Sequence, residues 1–236
     1  AKKSCGVPRV HTMPSLQTSQ VIIGPSSASV RSKSEKNVAG AVATDPEKFL
    51  YSLLKSQELL PEHVSKVYAL SMTNYFLEPT PELVAAYDNT VTGAVRSEDL
   101  TAIRSLHAKG HPLQCCNRFG ESIVHIACRR GSARIVRFLL DDANVSIRVR
   151  DDFGRTPLHD ACWTKDPAFD VMRILIEREP DLLFVSDKRG HTPLQYVRRD
   201  DWRLWCKFLS EFSLEKLIPS KYLFDLMTKQ DPPVKQ

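Results

Sequence analysis

The chain has 236 residues, with 33 Lys or Arg against 28 Asp or Glu, 42% hydrophobic residues and 26% charged ones. That balance suits a globular protein with a buried core and excludes a collagen-like or Gly-rich polymer. No apolar run approaches the roughly 18 residues that cross a membrane as a helix, and Val21-Ile22-Ile23 is too short for the core of a signal peptide.

Residues 1–43 read as a disordered, basic, Ser-rich tail. The first 40 residues hold six bases (Lys2, Lys3, Arg9, Arg31, Lys33, Lys36), one acid (Glu35), ten Ser or Thr and no aromatic residue. Such a stretch cannot bury enough apolar surface to offset its ordering entropy. It is either a solvated linker or an arm that binds a partner or is phosphorylated, with Ser32 and Ser34 as candidates. The rest of the chain carries 27 charges of each sign, so the net charge of +5 belongs to the tail. A basic isoelectric point therefore says nothing about nucleic acid by itself.

Residues 44–87 are expected to form an all-helical N-terminal cap over the end of the next stretch of chain. Thr44-Asp45-Pro46-Glu47 predicts a capping-box start with Thr44 at the N-cap. Phe49, Leu50, Leu53 and Leu54 then share one helical face. Pro61-Glu62 opens a second expected helix carrying Val64, Val67, Tyr68 and Met72 or Tyr75, and Thr80-Pro81-Glu82 opens a short third.

Residues 88–212 repeat. Phe119-Gly120-Glu121-Ser122-Ile123-Val124-His125-Ile126-Ala127 aligns with Phe153-Gly154-Arg155-Thr156-Pro157-Leu158-His159-Asp160-Ala161. Both align with Arg189-Gly190-His191-Thr192-Pro193-Leu194-Gln195-Tyr196-Val197. The glycines are 34 and 36 residues apart, and an apolar second helix follows each block. A weaker first copy places Ala94 at the alanine position, Leu100, Ile103 and Leu106 on its second helix, and Lys109 to Leu113 at its exit. Thr156 and Thr192 can cap a helix with Pro157 and Pro193 at its first position, and the three glycines suit a turn with positive φ. One extra residue lies near Asp141–Asn144 and two near Lys165-Asp166, where Pro167 is expected to restart the second helix. Residues 213–236 add Leu214–Ile218, a Pro219-Ser220 break and an amphipathic stretch, read as a helical C-terminal cap.

A period in the low thirties with a Gly-x-Thr-Pro-Leu-His core resembles the ankyrin repeat. The expected fold is an all-α solenoid of about four such repeats with helical caps at both ends. The resemblance implies that His125 and His159 bond backbone and the neighbouring hydroxyl, tying repeats together. It also implies a concave binding surface made of hairpin tips and first helices. Mapped through the register, that surface holds Arg118, Phe119, Glu121, Arg129 and Arg130. The next repeat adds Asp152, Phe153, Arg155, Asp160 and Trp163, and the last adds Lys188, Arg189, His191, Tyr196 and Arg199. The surface has seven basic residues, three acids and four aromatics, a composition that favours interface hot spots.

Other chemistry is weaker. His107, His111 and Cys115 are spaced four apart with Cys116 adjacent, but Gly110 and Pro112 break the helix that would align them as metal ligands. Cys115 and Cys116 read as a surface thiol pair. Cys128 and Cys162 occupy one repeat position on stacked helices about 10 Å apart, beyond disulfide reach, and read as buried thiols. Arg129-Arg130-Gly131-Ser132 resembles a basophilic kinase site. No nucleophile elbow or phosphate-binding loop appears, so neither an enzyme nor a cofactor is expected. The expected function is non-catalytic binding of a protein partner with acidic and apolar surface, as an adaptor or architectural subunit. The alternative is a nucleic-acid-binding protein using the tail and the same arginines. The cysteines lack the spacing of a secreted disulfide framework, which points inside the cell, to cytoplasm or nucleus. An organelle would fit if Ala1 follows a cleaved targeting peptide.

Overall fold

The computed structural model describes residues 44–229. The tail 1–43, with Ser32 and Ser34, and the last residues of the C-terminal cap lie outside them. The centre is a stack of helix pairs. The first repeat contributes α3 (Asn89–Arg96) and α4 (Leu100–Ala108), and the second α5 (Ile123–Arg129) and α6 (Ala133–Arg137). The third contributes α7 (Pro157–Cys162) and α8 (Phe169–Arg178), and the fourth a 3₁₀ turn (Pro193–Tyr196) and α9 (Trp202–Ser210). The inner helices α3, α5, α7 and the Pro193–Tyr196 turn stack in order, and α6 packs on α8 behind them. Four repeats and a mostly helical solenoid are as the sequence led us to expect.

The stacking follows from small residues and shared caps. Ala127, Leu158 and Ala161 are fully buried between repeats, with Val124, Ile135, Leu139, Met172 and Leu175 behind them. Ser122, Thr156 and Thr192 cap the inner helices, and His125, His159 and Gln195 return the bond three residues on. The extra residue near Asp141–Asn144 is absorbed by a π-type turn, Phe138–Asp142, that continues α6. The two near Lys165 form a loop closed by Thr164 Oγ1 donating to Asp166 O (2.7 Å), and α8 starts at Phe169 rather than Pro167. Inner helix four stops early: Val197 stands where Ala127 and Ala161 stand, and its backbone is extended (ψ 130°).

The segment before the repeats departs from the expected all-helical cap. Its first helix, α1 (Pro46–Ser56), is capped by Asp45, not Thr44: Asp45 Oδ1 accepts from Glu47 N (2.9 Å) and Lys48 N (3.2 Å). Buried Leu50 and Leu54 pack α1 against α9 and the Pro193–Tyr196 turn, so α1 covers the last repeat. Thr192 Oγ1 donates to Glu47 Oε1 (2.7 Å) across that contact. The expected second helix does not form. The chain from Leu60 runs back along the repeats, extended apart from a 3₁₀ turn at Ala69–Ser71, because its backbone finds partners there that a short helix would forgo. Its strand β1 (Val67–Tyr68) pairs in parallel with β2 (Val185–Ser186), Leu77 bridges Val149, and Cys116 N donates to Leu83 O (3.2 Å). The third expected helix is present as α2 (Pro81–Ala85).

The C-terminal segment forms a 3₁₀ turn, Leu214–Leu217, then α10 (Lys221–Thr228) after the Pro219-Ser220 break. Buried Asp181 joins the three parts: its carboxylate accepts from Ser220 N (2.6 Å), Ser220 Oγ (2.5 Å) and Tyr75 OH (3.3 Å).

Candidate interaction surface

Each hairpin finger is built around one acceptor. Asn117 Oδ1 accepts from Phe119 N (2.9 Å) and Glu121 N (3.1 Å), and Asp151 Oδ1 from Phe153 N (3.0 Å) and Arg155 N (2.8 Å). Asp187 Oδ1 accepts from Arg189 N (2.8 Å) and His191 N (2.9 Å). These turns require left-handed backbone at the glycine, with φ near +80° at Gly120, Gly154 and Gly190. Adjacent fingers are laced together: Asp152 N donates to Phe119 O (2.8 Å), and Lys188 N to Phe153 O (2.7 Å). Asn117, Asp151 and Asp187 were missed as site-forming residues, though each stands three residues before a repeat glycine, and that period was the available signal.

The histidines tie helix to finger. Thr156 N donates to His159 Nδ1 (3.0 Å), and His159 Nε2 donates to the carbonyl of His191 in the next finger (3.1 Å). His125 does the same with Ser122 N (3.1 Å) and Arg155 O (3.0 Å). A carbonyl can only accept, so the proton sits on Nε2 in both rings. Burial pushes the His159 pKa down to about 4, against the opposing pull of the His191 carbonyl. A ring buried, neutral and bonded at both nitrogens is a strut, not a general base.

The fingers and inner helices enclose an open cleft of about 310 Å³ lined by Phe119, Glu121, Arg129, Asp151, Phe153, Arg155 and Trp163, with Asn117 and Asp152. Seven of the fifteen residues mapped onto the concave surface meet there. Phe119, Phe153 and Trp163 are 48%, 46% and 56% exposed. Arg118 lies over the Phe119 ring (4.6 Å) and Arg155 over Phe153 (5.3 Å), so the arginines and rings form stacked pairs.

The charge of this face differs from the sequence-based expectation. Arg129 donates to Glu121 Oε1 and Asp160 Oδ2, both at 2.7 Å. Asp160, expected on the surface, is buried and held by this bond, which joins the inner helices of repeats two and three. Burial opposes the Arg129 charge, but its bonds to Asp160 and Glu121 prevail and hold its pKa above the ordinary value. Arg155 donates from Nε to Asp151 Oδ2 (2.7 Å). The two central arginines are therefore neutralised within the fold. The exposed cations Arg118, Lys188 and Arg189 take part in no ion pair among the described residues, and Arg130 makes one long contact to Glu98 (3.5 Å). Tyr196 is half-buried and donates to Asp187 Oδ2 (2.5 Å), which makes it a finger support.

Two further readings are corrected. Cys115 and Cys116 are buried, not a surface pair, and α2 lies against them, with Cys116 N bonded to Leu83 O. Burial pushes the Cys115 thiol up to about 12 and raises Cys116 too, so both are poor nucleophiles. Ser132 is buried at the N-cap of α6, which closes it to a kinase in the folded chain. Cys128 and Cys162 are buried free thiols as expected. Among the described residues no group of three or more His, Cys, Asp or Glu is gathered to hold a metal ion, and no helix is long and apolar enough to cross a membrane.

A family model described as ankyrin repeats, three copies, matches residues 92–185. Residues 92–185 of the stack thus match three ankyrin repeats. An ankyrin repeat protein of Rickettsia bellii is 25% identical over 155 residues, covering 61% of this chain and 82% of that protein. The ankyrin repeat protein YahD of Escherichia coli is 31% identical over 107 residues, covering 43% of this chain and 52% of that protein. A Caenorhabditis elegans protein named as a glutaminase is 33% identical over 70 residues, which is 30% of this chain but only 12% of that protein. Stacked repeats of this kind in general present extended concave surfaces that bind other proteins.

Proposed function

We propose that the chain is a non-catalytic adaptor or architectural subunit that binds a protein partner through the Phe119–Phe153–Trp163 cleft and the cations around it. The observation that carries this reading is three large aromatic side chains about half exposed around one cleft, where burial by a partner would repay their solvation. Arg118, Lys188 and Arg189 give the rim its positive charge and favour acidic groups on the partner. Neutralisation of Arg129 and Arg155 by the chain's own carboxylates supports a protein partner over a phosphate backbone. The buried, neutral state of Cys115, Cys116 and His159 supports a non-catalytic role.

The test is affinity retrieval with Arg118→Glu/Lys188→Glu/Arg189→Glu beside wild type, with circular dichroism to check folding. All three are exposed, so helix content should be unchanged while retrieval falls about tenfold or more. A folded variant that retrieves the same partners equally well would place the binding surface elsewhere. Salt-sensitive binding of DNA or RNA, lost in the same variant, would favour the nucleic-acid reading.

A further inference from the structure

The finger tips do not stand alone. Tyr68, Leu70 and Leu77, all from the extended segment, are 40%, 41% and 44% exposed. With Phe119 and Phe153 they make five of the eight large apolar side chains exposed among the described residues. The segment passes directly against the turns. A Cβ on Gly154 would meet the Leu70 side chain at 3.4 Å, and one on Gly190 would meet the Tyr68 hydroxyl and Lys66 Nζ at 3.2 Å. Leu77 N donates to Arg148 O (2.8 Å), two residues before Arg150, whose carbonyl abuts Gly120. Segment and tips therefore form two parallel rows, Leu77–Leu70–Tyr68 beside Phe119–Phe153–Arg189.

The rows change character along the stack. Over fingers two and three they are apolar apart from two arginines on the rings: Arg118 on Phe119, and Arg155, already paired to Asp151, on Phe153. At finger four the aromatic tip position holds Arg189, with Lys188 next to it and Lys66 behind, its ammonium on Gly190 O (2.8 Å). The nearby acids are engaged or sit at the other end: Asp187 is buried under its own turn, Glu78 pairs with Arg150 (2.7 Å), and Asp152 lies between the two phenylalanines.

We propose that this two-row strip docks an extended segment of a partner protein, its apolar part on fingers two and three and its acidic part on finger four. The proposal rests on the protein-binding reading above and moves the contact beyond the concave cleft, onto the extended segment. The commitment to an apolar-then-acidic chain follows from charge complementarity with the strip. Fingers are about one helix diameter, about 10 Å, apart. An extended chain in the polyproline II conformation rises about 3.1 Å per residue with about three residues per turn, so side chains three apart share a face: apolar anchors should be three residues apart and the acids three further on. A nucleic acid would have to lay a phosphate on the apolar rows at every step, which disfavours it.

The probe is a fluorescein-labelled designed peptide with two leucines three residues apart and a pair of glutamates three further on, paired with a control in which lysines replace the glutamates. Binding to the whole chain is read by anisotropy. The glutamate peptide should bind at least about tenfold tighter than the lysine one, and Lys188→Glu/Arg189→Glu should erase that preference. Leu70→Ser and Tyr68→Ser, both exposed, should each weaken binding about fivefold or more with helix content unchanged. Equal binding of the two peptides, or no effect of Leu70→Ser and Tyr68→Ser, would overturn the strip. Loss through Trp163→Ser alone would also overturn it while leaving the cleft as a protein-binding site. Binding of neither peptide would overturn the partner chemistry proposed for the strip, with the retrieval experiment still deciding the broader reading. Tighter binding of a DNA duplex at the same residues would overturn both.

Discussion

His159 provides a test of how the repeats are held together. Its ring accepts from Thr156 N, donates to His191 O and is buried (1% exposed). Its folded pKa is about 4, below the ordinary 6.5. Because the folded value is depressed, protonation favours the unfolded chain. The contribution is whole above about pH 6.5 and is lost as pH falls toward about 4. That depression is worth about 3 kcal/mol in full, and about 2 kcal/mol of it is gone by about pH 5. Gln195 fills the same position in repeat four, accepting from Thr192 N (3.1 Å), so His159→Gln should keep the cap without a titrating group. The assay is urea unfolding of wild type and His159→Gln at about pH 7.5 and about pH 5. His159→Gln should cost about 1 kcal/mol at the higher pH. It should then lose about 2 kcal/mol less than wild type on acidification. Equal acid losses would show that the His159 ring is not a buried neutral strut.

Leu158→Ala, at a fully buried position between repeats, should cost about 2–5 kcal/mol, and hydrogen exchange should rise in repeats two and four as well as three. Arg129→Ala should leave Asp160 buried without its cation and cost about 1–3 kcal/mol in thermal unfolding, more than an exposed arginine would. Reversing Arg155 should destabilise as well, since Glu would face Asp151, whereas reversing Arg118 or Arg189 should move stability by only about 0.5 kcal/mol.

The repeats were legible because their information is local. Gly154-x-Thr156-Pro157-Leu158-His159 specifies a turn, a cap and a buried leucine within six residues, and its echoes at Gly120 and Gly190 fix the stack. The extended segment was not legible, for the opposite reason. Val64, Val67, Tyr68 and Met72 have helical spacing, but the backbone of Val67 and Leu77 is satisfied by Val185 and Arg148, and no local pattern carries such distant pairing. The site was half legible for the same cause. Phe119, Phe153 and Trp163 could be placed by register alone. That Arg129 is spent on Asp160, 31 residues away, and that Leu70 and Tyr68 flank the tips, depends on tertiary contacts.

The central claim is that the chain acts by binding a protein along its fingers and concave cleft. Hydrogen–deuterium exchange on the chain with and without its retrieved partner tests it most directly. Amides of the three fingers, around Phe119, Phe153 and Arg189, and of the Trp163 loop should slow on binding, while those of α4, α6 and α8 stay unchanged. Protection confined to α4, α6 and α8, with the fingers unaffected, would contradict it.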